Sequence, residues 1–408
     1  MKQPLKIDFV TDTYRPQANG VATTLHRLVN GLRDRGHKVD VIRPATLACE
    51  ESGMKVPSVA LPGYREVRIG LPMGLILQSR WQRNRPDVIY VATETPLGAS
   101  AITAARTLKI PAASGFHTNF QKYAEHYRLP MLGKATLKYL RYIHNRSDRT
   151  FVPSDDAIAE LEKVGFKNLE LLPKGVDTAH FNPKKRSGLL RAKWGATEKA
   201  TVGIYVGRIA PEKNLPLVIR TFQELQRRYP DFKGVLVGDG PVRGEYIKEY
   251  PELIFTGTKS GEELAQHYAS ADLFLFPSMT ETFGNVTLEA MACRLPVVTF
   301  DYAAGRQHIV NGENGFTVPY GDEDAFVESA LNALSNRDLQ KVRDKARCSA
   351  RQVRWKRVVK RFEKSLVHMI HEGGGGGEKE KTEVPDDFYD DIERWIDQNT
   401  ARKSELAL

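Results

Sequence analysis

Short apolar runs alternate with amphipathic helical stretches along this chain, stop at a polar segment, and then start again. "KIDFV" (6–10) precedes a stretch whose apolar positions Val21, Leu25, Leu28, Val29 and Leu32 share one helical face. Gly36 ends that helix, and "KVDVIRP" (38–44) follows as the next strand. "DVIYVAT" (87–93), "AASGFH" (112–117) and "RTFVPS" (149–154) are further strand candidates. Strands separated by helices pair in parallel and are buried on both faces. "LLPKGVDTAHFNP" (171–183) reads as a hinge, after which "ATVGIYVGRI" (200–209), "KGVLVGDG" (233–240), "DLFLFPS" (272–278) and "PVVTF" (296–300) repeat the pattern. The fold class is therefore α/β, with two doubly wound Rossmann-like domains. They are expected at residues 1–183 and 184–349, with a helix near 350–371 packing back on the first. Ligands of such sheets bind beyond the carboxyl ends of the strands, so the two domains are expected to face each other across a cleft.

Length agrees with two cores, because 408 residues exceed what one ordinary core organises. No apolar run approaches the roughly 20 residues that span a bilayer. The first strand begins at Leu5, which leaves no room for a signal peptide. Cys49, Cys293 and Cys348 are odd in number and lack ligand spacing, as expected of reduced thiols in the cytoplasm. Residues 378–408 hold ten acidic and five basic side chains, a balance of −5, which leaves the rest of this +10 chain at +15. That excess suits an anionic partner, a nucleotide or a phospholipid surface, as well as plain solubility. Residues 337–361 alone carry eleven Arg or Lys against Asp338 and Asp344, within one helical pattern at roughly 338–371. "GGGGG" (373–377) then reads as a flexible linker to an acidic tail, so 372–408 lies outside the catalytic reading. The glycines are compatible with a native linker and with an engineered junction.

The loops after the strands carry the chemistry. After the first strand, Asn19-Gly20 opens a helix, where backbone amides and the helix dipole favour an anion; a simple turn glycine is equally compatible. "VGRIAPEKN" places Arg208 and Lys213 at a strand-to-helix junction. Arg forks two phosphate oxygens and Lys supplies a point charge, although a solvated basic pair would look the same. In "FPSMTETFGNVTLEAMA", Gly284 allows close backbone approach at a helix start, so the amides of Phe283, Gly284 and Asn285 can face a diphosphate or a sugar. Glu281 in the loop and Glu289 within the helix can accept hydrogen bonds from sugar and ribose hydroxyls. A plain loop acid at Glu281 and a buried partner of a basic residue at Glu289 are the alternatives, which the spacing, strand context and glycine together disfavour.

In their order, "NGVATTL", "GFHTNF", "PKGVD", "VGRIAPEKN", "VGDGP" and "TETFGNVTLEAMA" resemble the motifs of the family-4 retaining glycosyltransferases of GT-B fold. The resemblance covers about residues 5–370 and is nearest the bacterial glycolipid subgroup of mannosyl-, glucosyl- and sulfoquinovosyltransferases. It implies retaining transfer of a hexose from a nucleoside diphosphate sugar, GDP-mannose or UDP-hexose, to a diacylglycerol-type lipid. It assigns His117 to the transferred sugar and Gly20 to the diphosphate. Arg208 and Lys213 would meet the leaving group. Glu281, Thr282, Phe283, Gly284 and Asn285 would hold sugar and diphosphate, Glu289 the ribose, and Thr258 and Lys259 in "TGTKSG" the base. No cofactor and no metal is implied. The chain departs from relatives at Arg294, and at "AAGRQH" (303–308), where some carry a Gly-Gly-x-x-Glu element; donor identity is therefore open.

An acceptor surface is expected in the N-terminal half. "LPMLGKATLKYLRYIHNR" (129–146) sets Lys134, Lys138 and Arg141 on one stripe and Leu132, Tyr139, Leu140 and Ile143 on another. Arg65 and Arg68 in "GYREVRIGLP" add to the stripe. A peripheral enzyme at the inner face of the cell membrane follows; a solvated helix face is the plainer alternative. The rival functions are a transferase acting on a polysaccharide or lipopolysaccharide, and a nucleotide-sugar-binding regulator without turnover. Neither half opens with G-x-G-x-x-G, which disfavours a dehydrogenase, and no nucleic-acid module accompanies the basic helix.

Overall fold

The computed structural model describes residues 3–14, 20–45, 53–61, 64–117, 130–279 and 284–373. The chain forms two compact units. The first takes the chain up to Pro153, Ile158–Leu172 and the return from Val359; the second takes Ser154–Ala157 and Pro173–Val358. Residues 173–183 thus group with the second unit by contact.

The first unit contains β1 (Lys6–Val10), α1 (Gly20–Arg33), β2 (Lys38–Pro44), β3 (Met54–Val56), β4 (Ser58–Leu61), β5 (Tyr64–Gly70) and α2 (Gly74–Arg83). It continues with β6 (Val88–Val91), α3 (Pro96–Thr107), β7 (Ala112–Gly115), α4 (Pro130–Asn145), β8 (Arg149–Val152), α5 (Asp155–Lys163) and β9 (Leu169–Leu171). Its sheet is parallel throughout, in the order β3-β2-β1-β6-β7-β8-β9, with β4 and β5 set apart as an antiparallel hairpin. The central strands are buried at every position but Lys6, as expected of parallel strands covered on both faces.

The second unit contains α6 (Gly188–Lys193), β10 (Val202–Val206), α7 (Leu215–Arg228), β11 (Lys233–Val237), α8 (Arg243–Glu249), β12 (Ile254–Gly257), α9 (Gly261–Ser270) and β13 (Leu273–Phe276). α10 (Asn285–Ala292), β14 (Val297–Phe300), α11 (Ala304–His308), β15 (Phe316–Val318), α12 (Glu323–Ser335), α13 (Leu339–Gln352) and α14 (Trp355–Glu372) complete the chain. The sheet order β12-β11-β10-β13-β14-β15 is the doubly wound one, parallel throughout. Local chemistry sets the helix starts. Pro occupies the first turn of α3 and of α7, and the Asp322 side chain accepts from the Ala325 N–H at 3.0 Å to open α12.

The single basic helix expected at 338–371 is two helices. The chain breaks at Val353–Arg354, where the Val353 carbonyl accepts from the Val176 N–H at 3.0 Å and Arg354 bridges to Val176. α14 then lies on the first unit. Phe362 is fully buried against Phe9, Tyr90 and Phe151, with ring centroids 6.2, 5.1 and 4.9 Å apart.

Candidate active site

In both sheets the order of strands reverses beside the first strand, between β10 and β13 in the second unit and between β1 and β6 in the first. That reversal opens a crevice at the carboxyl ends of the two strands.

In the second unit, the loop leaving β10 is held by main-chain bonds, Gly207 N–H to the Val237 carbonyl at 3.0 Å and Ile209 N–H to the Asp239 carbonyl at 2.9 Å. Gly238, at φ +145°, makes that approach possible, since a Cβ there would run into the Gly207 carbonyl oxygen. Arg208 leaves this loop. Its carbonyl accepts from the Tyr205 hydroxyl at 3.0 Å, and its Nη1 lies 3.3 Å from Oε1 of the buried Glu212. Lys213 ends the following turn and donates from Nζ to Ser278 Oγ at 3.4 Å. Ser278 stands just past β13, so Lys213 spans the reversal point.

Gly284 precedes α10 in the left-handed region, at φ 91° and ψ 62°, and no side chain caps the helix. The Thr287 N–H bonds the Gly284 carbonyl at 3.1 Å, and the Asn285 and Val286 amides before it have no acceptor among the described residues. Asn285 Oδ1, in the first turn, is buried without a hydrogen-bond partner among the described residues. One turn on, Glu289 Oε2 accepts from the Tyr268 hydroxyl at 3.0 Å. The residue keeps some exposed surface, yet burial of the carboxyl pushes its pKa up to about 7, partly offset by the Tyr268 bond. Burial and the Glu289 charge keep the Tyr268 hydroxyl protonated, so it remains the donor. Thr258 is exposed in the loop after β12, and Lys259 Nζ lies 3.8 Å from Glu263 Oε2. Glu281, Thr282 and Phe283 lie outside the described residues.

The first unit holds residues that the motifs did not reveal. Asp12, directly after β1, is buried at the reversal point. Its Oδ1 accepts from Gly70 N–H at 2.6 Å, and its Oδ2 accepts from Thr93 Oγ1 at 3.0 Å and from Thr95 Oγ1. Burial raises its pKa above the ordinary carboxylate value. His117, past the end of β7, places Nε2 2.7 Å from the Tyr90 hydroxyl. Burial pushes the Tyr90 phenol above its ordinary range, so its hydroxyl stays protonated beside the imidazole. Behind them His144 joins Glu94 Oε1 at 3.3 Å to Ser114 Oγ at 2.9 Å. This line of Ser, His and acid is not a nucleophilic triad, because Ser114 and His144 are fully buried and Ser114 Oγ is also bonded to Thr150 Oγ1 at 2.9 Å. The position of Asp12 immediately after the first strand was the available signal; nothing local marked Glu94 or His144, which a fold brings together.

Gly20 is exposed at the first position of α1, its carbonyl accepting from Thr24 Oγ1 at 2.8 Å. In the basic stripe, Lys138 is exposed, whereas Arg141 Nη1 reaches the Val164 carbonyl at 3.1 Å. Arg68 is partly exposed and turned onto its own hairpin, Nε donating to Ser58 Oγ at 2.7 Å and Nη2 to the Ser58 carbonyl at 2.8 Å. The side chains of Arg65 and Lys134 lie outside the described residues, as do Cys49 and the tail beyond Gly373. No described helix is long and apolar enough to cross a membrane, and no described cluster of His, Cys, Asp or Glu is placed to hold a metal ion.

Two doubly wound parallel sheets, each gathering its polar side chains where the strand order reverses, define the GT-B class of glycosyltransferase fold. Residues 18–180 match Glycosyltransferase Family 4 and residues 200–336 match Glycosyl transferases group 1. The chain belongs to this glycosyltransferase family. It is 34% identical over 330 residues to a GDP-mannose-dependent alpha-mannosyltransferase of Corynebacterium glutamicum, covering 78% of each chain. It is 29% identical to an alpha-monoglucosyldiacylglycerol synthase of Streptococcus pneumoniae, covering 81% of this chain and 78% of that one. Its fold is shared with sucrose-phosphate synthase from Thermosynechococcus elongatus, at TM-score 0.72 and 19% identity, over 91% of this chain and 100% of that structure.

Proposed function

We propose that this chain transfers a hexose from GDP-mannose or a UDP-hexose to a diacylglycerol-type lipid, with retention at the anomeric carbon, at the inner face of the cell membrane. The observation that carries the donor half is the set around β10 and β13: Arg208 braced by Glu212, Lys213 on Ser278, and the uncapped start of α10 one turn before Glu289. The names of two relatives support the substrate classes, a GDP-mannose-dependent alpha-mannosyltransferase for the donor and an alpha-monoglucosyldiacylglycerol synthase for the acceptor.

As the C1–O bond to the diphosphate breaks, negative charge grows on the phosphate oxygens. Arg208, Lys213 and the α10 amides are fixed donors for that charge, and one such donor is typically worth about 3 kcal/mol. Glu281 and residues 282–285 hold the sugar and diphosphate, Thr258 and Lys259 flank the base, and Glu289 accepts from the ribose diol. The acceptor hydroxyl attacks C1 from the face the phosphate leaves, and its proton passes to the departing phosphate oxygen. His117 contacts the transferred sugar, Gly20 approaches the diphosphate, and Lys134, Lys138, Arg141 and Arg65 meet anionic lipid.

Nucleotide release is measured with GDP-mannose and UDP-glucose, with and without a lipid extract, and the product anomer is read by NMR. Lipid-dependent release and an α-product from an α-donor are expected. Release with soluble sugars alone would move the acceptor to a polysaccharide, and donor binding without release would leave a regulator.

A further inference from the structure

An open cleft of about 490 Å³ lies in the first unit between α2, α3 and α4. Its walls include Leu75, Ile76, Ala99, Thr103, Tyr139 and Tyr142. α2 buries Leu77 and Trp81 completely, one turn apart, as its inward face. Leu75 and Ile76 are surplus to that packing: they are 83% and 52% exposed, and Leu71 just before the helix is 41% exposed. Adjacent apolar side chains left in water at the lip of an apolar cleft mark a ligand or membrane contact.

The two aliphatic hydroxyls in the walls are already satisfied. Ser100 Oγ donates to the Leu97 carbonyl at 2.8 Å and accepts from Met73 N–H at 3.0 Å, and Thr103 Oγ1 donates to the Ala99 carbonyl at 3.0 Å. The lining among the described residues contains no acidic side chain and one amide, Gln78. Such walls suit hydrocarbon rather than a peptide, whose backbone would need partners. Cations stand beside the aromatic wall: Lys138 is exposed next to Tyr139, and the Arg146 guanidinium lies 5.1 Å from the Tyr142 ring centre. Both walls also start at the reversal point. Pro72 and Met73 follow Gly70, and Pro96 follows Thr95, and Gly70 and Thr95 both donate to Asp12.

From these observations we infer that the cleft takes one acyl chain of the lipid acceptor, with the glycerol end toward Asp12 and Leu75 and Ile76 in the membrane surface. The volume lies within the range of roughly 300–1,000 Å³ for small-molecule sites. The inference rests on the lipid-acceptor reading and specifies where the lipid is held.

The full chain is titrated with cis-parinaric acid, an 18-carbon fatty acid that fluoresces in apolar surroundings, so the result does not depend on transfer. Wild type should bind saturably. Ala99→Trp, which fills the cleft, should weaken binding at least tenfold with an unchanged melting temperature. Should Ala99→Trp melt early, the exposed-site variant Leu75→Glu should weaken binding at least threefold. In transfer assays Ala99→Trp should raise KM for dioleoylglycerol and leave KM for the nucleotide sugar unchanged. No saturable binding by wild type, or equal binding by the folded variants, overturns the cleft even if lipid transfer is found. Wild-type dimers that Leu75→Glu makes monomeric, without probe binding, also overturn it, in favour of a second copy. Probe binding lost in the variants sustains the cleft even where lipid transfer fails.

Discussion

Glu289 combines a hydrogen bond from Tyr268 with a carboxyl whose pKa burial raises from 4.5 to about 7. The folded state holds that proton between those two values while the unfolded chain has released it. The stability it contributes is therefore full below pH 4.5 and is lost as pH rises through about 7. At about 1.36 kcal/mol per pH unit the gap amounts to roughly 3 kcal/mol, and the residual exposure lowers the expectation to about 2. Urea unfolding at pH 5 and pH 8 should show wild type losing about 2 kcal/mol more than Glu289→Gln. If Glu289 accepts from the ribose diol as proposed, its ionised form is the stronger acceptor, so wild-type KM for the donor should fall from pH 6 to pH 8 while that of Glu289→Gln stays high and flat. Lys213 is tested separately. Lys213→Ala should lower kcat/KM on the order of 100-fold, and Ser278→Ala only a few-fold, in a nucleotide-release assay. Glu289 and Lys213 stand out as candidates in the sequence because each sits in a strand–loop–helix context of its own. Asp12, Glu94 and His144 carry meaning only once β1, β6 and α4 are side by side.

Helix α14 contributes to the first unit as a core element. Phe362 fills the space against Phe9, Tyr90 and Phe151, and the neighbouring buried Glu363 accepts from Arg35 Nε at 2.8 Å with Oε1 3.1 Å from His37 Nε2. Phe362→Ala should destabilise the protein by about 3–4 kcal/mol, measured by denaturant unfolding, because it removes an aromatic ring from a site that cannot collapse. At this scale sequence reading succeeded in the middle of the sheets and failed at their margins. β1, β2, β6, β7, β8, β10, β11, β13 and β14 are short, predominantly apolar segments with mostly buried positions. β3, β9, β12 and β15 are edge strands, and β4 and β5 form a separate hairpin. Edge strands face water on one side and are short, so "LEL" in β9 and "IFTG" in β12 are only partly buried throughout and leave no apolar signature. The break that divides α13 from α14 was hidden for another reason: it depends on Val176, remote in sequence, pairing at Val353 and Arg354.

The two units are built from the chain in unlike ways. The second is almost one continuous stretch, Pro173–Val358, with only Ser154–Ala157 added from elsewhere, whereas the first is completed by the return at Val359. A fragment of residues 173–358 retains the core around Phe222, Phe232, Phe274 and Phe326, all buried to within a few per cent, together with Arg208, Lys213, Gly284 and Glu289. It should melt cooperatively in calorimetry and bind a nucleoside diphosphate, with affinity lost on Lys213→Ala. A fragment of residues 1–172 lacks Phe362, Leu366 and Met369, which are 0%, 0% and 2% exposed in the whole chain. It leaves Phe9 and Phe151 uncovered and Arg35 and His37 without Glu363, so it should remain unfolded or aggregate by circular dichroism and light scattering. Adding a peptide of residues 355–373 should restore part of its helical signal, and the same peptide with Phe362→Ala should not. A cooperative melt of the 1–172 fragment alone would show instead that α14 only decorates the first unit, and the loss expected for Phe362→Ala would then be too large.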